Sequence, residues 1–173
     1  MALLPLKLVP YDRTRAVEYA HRWAYGRNPE FYDYEKIGGD CTNFASQCLY
    51  AGSGVMNYTP TYGWYYINAN DKAPAWTGVS YFNNFMTRKD ISEGPAAVES
   101  DIRRIQPGDV VQISFDGVNF THTPVVVSAP LFPRETDQIL VAAHSYDADN
   151  RPLSTYDYQL LRFLHVVGVW CPM

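Results

Sequence analysis

Cys41, His122 and His144 are the side chains through which this chain could do covalent chemistry. A thiolate is a strong nucleophile, and imidazole is the usual base that takes a thiol proton. Cys41 follows Gly38-Gly39-Asp40 and opens the run Thr42-Asn43-Phe44-Ala45-Ser46-Gln47-Cys48-Leu49, which closes at Gly52. An acidic cap, periodic apolar positions and a glycine stop predict a helix starting at Cys41. The first turn of a helix sits at the positive end of its dipole, which favours a thiolate. Cys41 is therefore the candidate nucleophile. Of the four histidines, His21 falls inside a predicted first helix and His165 inside a predicted last strand, as surface or core groups. His122 and His144 fall in successive predicted strands. If those strands pair, both imidazoles share one sheet face, and a helix carrying Cys41 completes a Cys–His–polar row. In that row His122 takes the thiol proton and later protonates the leaving group. His144 bonds the far nitrogen of His122 and fixes its tautomer, and the Cys41 N–H helps hold an oxyanion. The same residues fit a buried structural cysteine and two unrelated histidines about as well.

The elements that must position this row are legible in outline. Asp12 caps a helix predicted to Ala24, with Ala16, Val17, Ala20, Trp23 and Ala24 on one face. Residues 26–39 read as a loop, and the Cys41 helix runs to about Ala51. Residues 52–77 form a long aromatic segment, which is functional or hides a short element. A third helix is expected from Ser80 to Thr87. The period then changes to that of strands: Val110 to Phe115, Phe120 to Val127, Gln138 to His144 and Leu161 to Trp170. Asp116-Gly117 is a hairpin signal between the first two. Helices first and antiparallel strands after predict an α+β fold with N-terminal helices packed on a C-terminal sheet.

Composition narrows the class. The chain has 173 residues, enough for one domain with a real core. Hydrophobic residues make up 47%, charged residues 18%, and the net charge is −4. With no Lys/Arg run, nucleic acid is not an expected partner. No apolar run approaches the ~18 residues of a membrane span. Cys41 and Cys48 lie on one predicted helix at ~1.5 Å rise per residue, too far apart to bridge. Three cysteines do not make a disulfide framework. Met1 to Pro10 holds two prolines and lacks a small-residue cleavage site, so no signal peptide is expected within it.

Gly39-Asp40-Cys41-Thr42-Asn43-Phe44-Ala45-Ser46-Gln47 resembles the nucleophile motif of the putative amidase domain family. That family belongs to the papain-like superfamily, with the NlpC-type and CHAP-type cell-wall hydrolases. The likeness continues in Trp64 and Trp76, in Pro107-Gly108-Asp109-Val110-Val111-Gln112, and in His122 before Val125-Val126-Val127. It ends in Ala143-His144-Ser145-Tyr146-Asp147 followed by Asn150-Arg151-Pro152-Leu153, so it spans about residues 11–170. The resemblance implies a single papain-like domain over residues 1–173, with Cys41 as nucleophile, His122 as base and His144 as third polar group. It implies amide hydrolysis through a thioester, without metal or cofactor, on peptides of bacterial cell wall. Such substrates require export from the cell. Oligomeric state is left open.

The chain departs from the papain pattern at two places. Pro124 stands two residues after His122, and proline in a strand marks an edge or a bulge. Relatives often carry a glutamine before the cysteine for the oxyanion hole, whereas Tyr34-Glu35-Lys36-Ile37 has none. Tyr34 is the candidate side-chain donor there. Asn43 is close enough to Cys41 to line a cleft, and Trp64 could stack on substrate or form the core of its own segment. Asp147 is an alternative third catalytic member. Asp147-Ala148-Asp149-Asn150 faintly suggests a calcium loop, but Arg151 occupies its fifth position, so a turn is expected. Two other activities suit the same residues: an acyltransferase passing the thioester to an amine or alcohol, and a silent peptide- or wall-binding module.

Overall fold

A computed structural model describes residues 4–173. The chain runs β1 (Leu6–Val9), α1 (Arg13–Trp23), α2 (Cys41–Ser53), β2 (Tyr66–Asn68), β3 (Asp71–Lys72), α3 (Pro74–Thr77), α4 (Val79–Met86) and β4 (Gly94–Ser100). It continues through β5 (Val110–Ser114), β6 (Phe120–His122), β7 (Val125–Ser128), β8 (Leu140–Ala143), β9 (Ala148–Pro152) and β10 (Leu160–Pro172). Eight strands form one antiparallel sheet in the order β1-β10-β5-β7-β8-β9, with β4 on β10 and β6 on β5. The fold is α+β, as the change of sequence period predicts. No helix among the described residues is long and apolar enough to cross a membrane.

The helices form where capping and spacing direct them. The Asp12 carboxylate accepts from the Arg15 N–H at 3.0 Å and opens α1. Ala16, Ala20 and Ala24 are fully buried, and their small side chains let α1 lie close to α2. Gly52 does not stop α2. The helix continues to Ser53, and Gly54 caps it in the left-handed conformation at φ 66°. Gly52 is required by close approach instead: a Cβ there would meet Tyr11 Cε1 at 2.5 Å and the Asp12 carbonyl at 2.7 Å. The turn at Pro107-Gly108-Asp109 is structural too. Asp109 is fully buried and accepts from Arg13, Gln106 N, Val166 N and His165, joining α1 to β10.

The structure differs from the sequence expectation in the sheet. Three of its strands, β1, β4 and β9, are additional. Gly94-Pro95-Ala96-Ala97 and Ala148-Asp149-Asn150-Arg151-Pro152 are poor strand formers, and neighbouring strands recruit them through register rather than propensity. The expected strand Phe120 to Val127 is two strands, interrupted at Thr123-Pro124. Pro124 has no N–H to give, but its carbonyl still accepts from Val111 N at 3.0 Å. The long aromatic segment holds the β2–β3 hairpin and α3, and it closes over a core containing Trp64, Trp76, Phe82 and Phe85.

Candidate active site

Cys41 is the first residue of α2, and its side chain is partly exposed. Two contacts lock this helix end onto the β6–β7 segment. Thr42 Oγ1 lies 3.0 Å from Thr123 Oγ1 in a buried hydroxyl pair, and the Cys41 thiol points at the Thr121 carbonyl at 3.8 Å. His122 sits between those two threonines. Its ring is buried, packed between Phe115 at 6.5 Å and Tyr156 at 5.5 Å between centroids. Cys41 and His122 line one open cavity of about 580 Å³, together with Phe115, Ser145, Arg151 and Tyr156. The structure thus brings the expected nucleophile and base, 81 positions apart in sequence, to one cleft.

The resting electrostatics differ from the expected ion pair. Burial pushes the Cys41 thiol above its ordinary range, and the Asp40 charge adds to this. The Thr42 hydroxyl and the N–H groups of Thr123 and Thr42 oppose the shift without cancelling it. Burial, followed by the positive charge of Arg151, lowers His122 to about 4. Desolvation outweighs the helix dipole here, so at neutral pH both groups rest uncharged. The thiol bonds a backbone carbonyl rather than the imidazole.

A buried neutral histidine carries a stability signature. The folded state holds His122 near 4, whereas the unfolded chain titrates near 6.5. Between those values only the unfolded chain takes up the proton, so stability falls as pH falls. The contribution is fully present above pH ~6.5, and about 3 kcal/mol is lost by pH ~4. Denaturant melts across this range should show the slope in the parent, and His122→Phe should flatten it.

His144 does not orient His122. The expected Phe120–Val127 run does pair with the run leading to His144, through β7 and β8, but His122 lies before the Thr123-Pro124 interruption and His144 lies one residue past β8, in the following turn. Both ring nitrogens of His144 are engaged elsewhere. Nδ1 donates to Asp40 Oδ2 at 2.6 Å, and Nε2 lies 2.8 Å from the Trp23 carbonyl and 3.1 Å from Arg27 Nη1. Phe44 stacks on the ring at 4.0 Å. Asp40, read from sequence as a helix cap, makes no capping bond. Its carboxylate is buried and also accepts from Tyr34 N at 2.9 Å and Asn43 Nδ2 at 2.8 Å. The alternative third member, Asp147, is paired with Arg27 at 2.9 Å. Asp149, the other carboxylate of the faint calcium pattern, pairs with His21 at 2.8 Å.

The expected substrate-binding residues serve the scaffold in this structure. Asn43 is buried, donating to Asp40 and the Tyr32 carbonyl and accepting from Trp76 Nε1. Trp64 is fully buried, donates to Ser46 Oγ at 3.0 Å and packs on Trp76 and Phe85. The Tyr34 hydroxyl donates to the Ala69 carbonyl at 2.9 Å, so it is not an oxyanion donor. None of the three lines the cavity. Phe115, Ser145, Arg151 and Tyr156 line it instead. Ser145 and Arg151 belong to the runs that carry the family likeness, whereas Phe115 was read only as the end of a strand and Tyr156 was not singled out.

The chain is 32% identical over 149 residues to the uncharacterized protein YhbB of Bacillus subtilis (strain 168). The match covers 85% of this chain and 45% of that protein, so the chain spans about half of its relative's length. No solved structure matches the chain. The profile described as "putative amidase domain" matches residues 10–167, which takes in α1, the Cys41 helix, His122 and most of the sheet. The chain belongs to the putative amidase domain family.

Proposed function

We propose that this chain is a cysteine-dependent amidase of papain-like type that cleaves amide bonds in bacterial cell-wall peptides through a thioester. The observation that carries the reading is the shared cavity of Cys41 and His122, with the thiol at a helix start. Substrate entry turns the thiol from the Thr121 carbonyl to the imidazole. His122, resting neutral, takes the proton as Sγ attacks the carbonyl carbon. The Asp40 and Gly39 N–H groups are bound to Ser145 Oγ and the Tyr34 carbonyl, so the Cys41 N–H is the donor for the oxyanion. Collapse breaks the C–N bond as His122 protonates the amine, leaving an acyl group on Cys41. Water, deprotonated by His122, then releases the acid and restores the thiol. The packing of Phe115 and Tyr156, rather than a third polar residue, fixes the base.

The family, and its resemblance to wall hydrolases, support the substrate class. Isolated peptidoglycan and its soluble fragments, treated with the protein and resolved by mass spectrometry, test it. Hydrolysis predicts paired products whose masses sum to substrate plus water, and none with Cys41→Ala. Products bearing an added amine acceptor in place of water would show transfer instead. Intact fragments, alongside retained wall binding, would favour a silent binding module.

A further inference from the structure

Arg151 is a cation set at the cavity of Cys41, with no ion-pair partner among the described residues. It lies on β9, the last strand of the sheet order, opposite Val141. Its Nε donates to Thr155 Oγ1 at 2.8 Å and its Nη2 to the Thr155 carbonyl at 3.1 Å. Thr155 Oγ1 is anchored in turn to the Pro152 carbonyl at 2.7 Å. The guanidinium carbon stands 3.7 Å over the Tyr156 ring, which packs on His122. Hydrogen bonds and stacking thus hold the group, and three of its five N–H donors remain for a ligand. The ion pairs among the described residues involve Arg13, Arg15, Arg27 and three histidines, but not Arg151. Asp157 also lines the cavity, but it is exposed and forms no ion pair with Arg151.

We propose that Arg151 binds a carboxylate of the substrate close to the scissile amide, which makes anionic acyl or amine segments the preferred substrate class. A planar guanidinium matches a carboxylate through paired N–H bonds, and its restraint by Thr155 and Tyr156 lowers the entropy lost on binding. The substrate carboxylate also has a second effect. Arg151's charge opposes protonation of His122. A bound carboxylate offsets that charge, so the base strengthens when the correct substrate arrives.

The inference rests on the cysteine-amidase reading, but it can be tested without a known substrate. Cys41 and the partly exposed Cys171 are alkylated in the full chain with iodoacetate and with iodoacetamide, and each site is followed by mass spectrometry. The iodoacetate-to-iodoacetamide rate ratio should be about tenfold higher at Cys41 than at Cys171, the scale of one charge-assisted contact. Arg151→Gln should bring the Cys41 ratio down to that of Cys171, and Arg151→Lys should retain part of it. Equal ratios at the two thiols of the parent, or a ratio unchanged by Arg151→Gln, would overturn the proposal. A raised, Arg151-dependent ratio in a protein without amide turnover would sink the amidase reading and leave the anion site standing. Turnover with equal ratios would do the reverse. A Cys41 that reacts with neither reagent while Cys171 reacts would count against both.

Discussion

Replacing Cys41 with alanine should lower kcat/KM for amide cleavage by roughly 10⁴-fold or more while leaving the fold intact. The loss is large because in the proposed mechanism Sγ forms the acyl bond, and no other group can take that part at the same position. The fold should survive because the thiol's contacts are weak. They are a long hydrogen bond to the Thr121 carbonyl at 3.8 Å and a contact with Thr42 Oγ1 at 3.7 Å. The link that docks α2 onto the β6–β7 segment is the Thr42–Thr123 hydroxyl pair, which the substitution leaves in place. Stability should therefore move by less than about 1 kcal/mol. Rate assays paired with thermal melts check both halves. A variant that melts far below the parent would recast Cys41 as a packing residue.

The second large effect belongs to Asp40, beside Cys41. Asp40→Ala should destabilise the chain by about 3–5 kcal/mol. The substitution strands three buried donors at once: Tyr34 N, Asn43 Nδ2 and His144 Nδ1. It also removes the carboxylate that faces Arg27 Nε at 3.8 Å. Leaving several buried polar groups unpaired is costlier than losing their bonds in water. Asp40→Asn should cost less, because it keeps the shape and an acceptor while removing the charge. That charge adds to holding the Cys41 thiol protonated, by far less than burial and by less than each of the hydrogen bonds that oppose it. The asparagine variant should therefore move the Cys41 thiol toward lower pKa while weakening the fold. Urea titrations give the stability order, and alkylation rate against pH gives the thiol. Equal stability of parent and Asp40→Ala would contradict the central place given to this carboxylate.

The contrast between Cys41 and His144 shows where sequence reading reaches its limit. Local chemistry marked Cys41: an acidic residue, a thiol and an apolar period within a dozen positions specify a helix start whatever lies elsewhere. The α+β class was legible for the same reason, since a change from helical to strand period is a local property. The partner of His144 was not local. Its bond to Asp40 spans 104 positions, so it depends on how the start of α2 meets the turn after β8. The predicted strands of the two histidines do pair, through β7 and β8, yet both ring nitrogens of His144 turn to other partners. Trp64 was left between substrate and core, and Asn43 was expected at the cleft, because an aromatic or amide near a candidate nucleophile reads alike whether it faces substrate or core. The buried bonds Trp64–Ser46 and Trp76–Asn43 decide the matter, and they depend on how residues 52–77 fold back. Arg151 was visible only within the family likeness and as the residue that spoiled a calcium pattern. Its value comes from what is missing around it, and an absent acidic partner cannot be read along a chain.

The most direct test of the central claim is to trap the acyl group. The full chain is mixed with p-nitrophenyl acetate, quenched in acid, and the acetyl group is located by peptide mapping. The account predicts acetylation at Cys41, none there in Cys41→Ala, and formation roughly 10²-fold slower in His122→Ala. Acetylation at another cavity group such as Ser145, or an equal rate at Cys41 with and without the His122 imidazole, would contradict it.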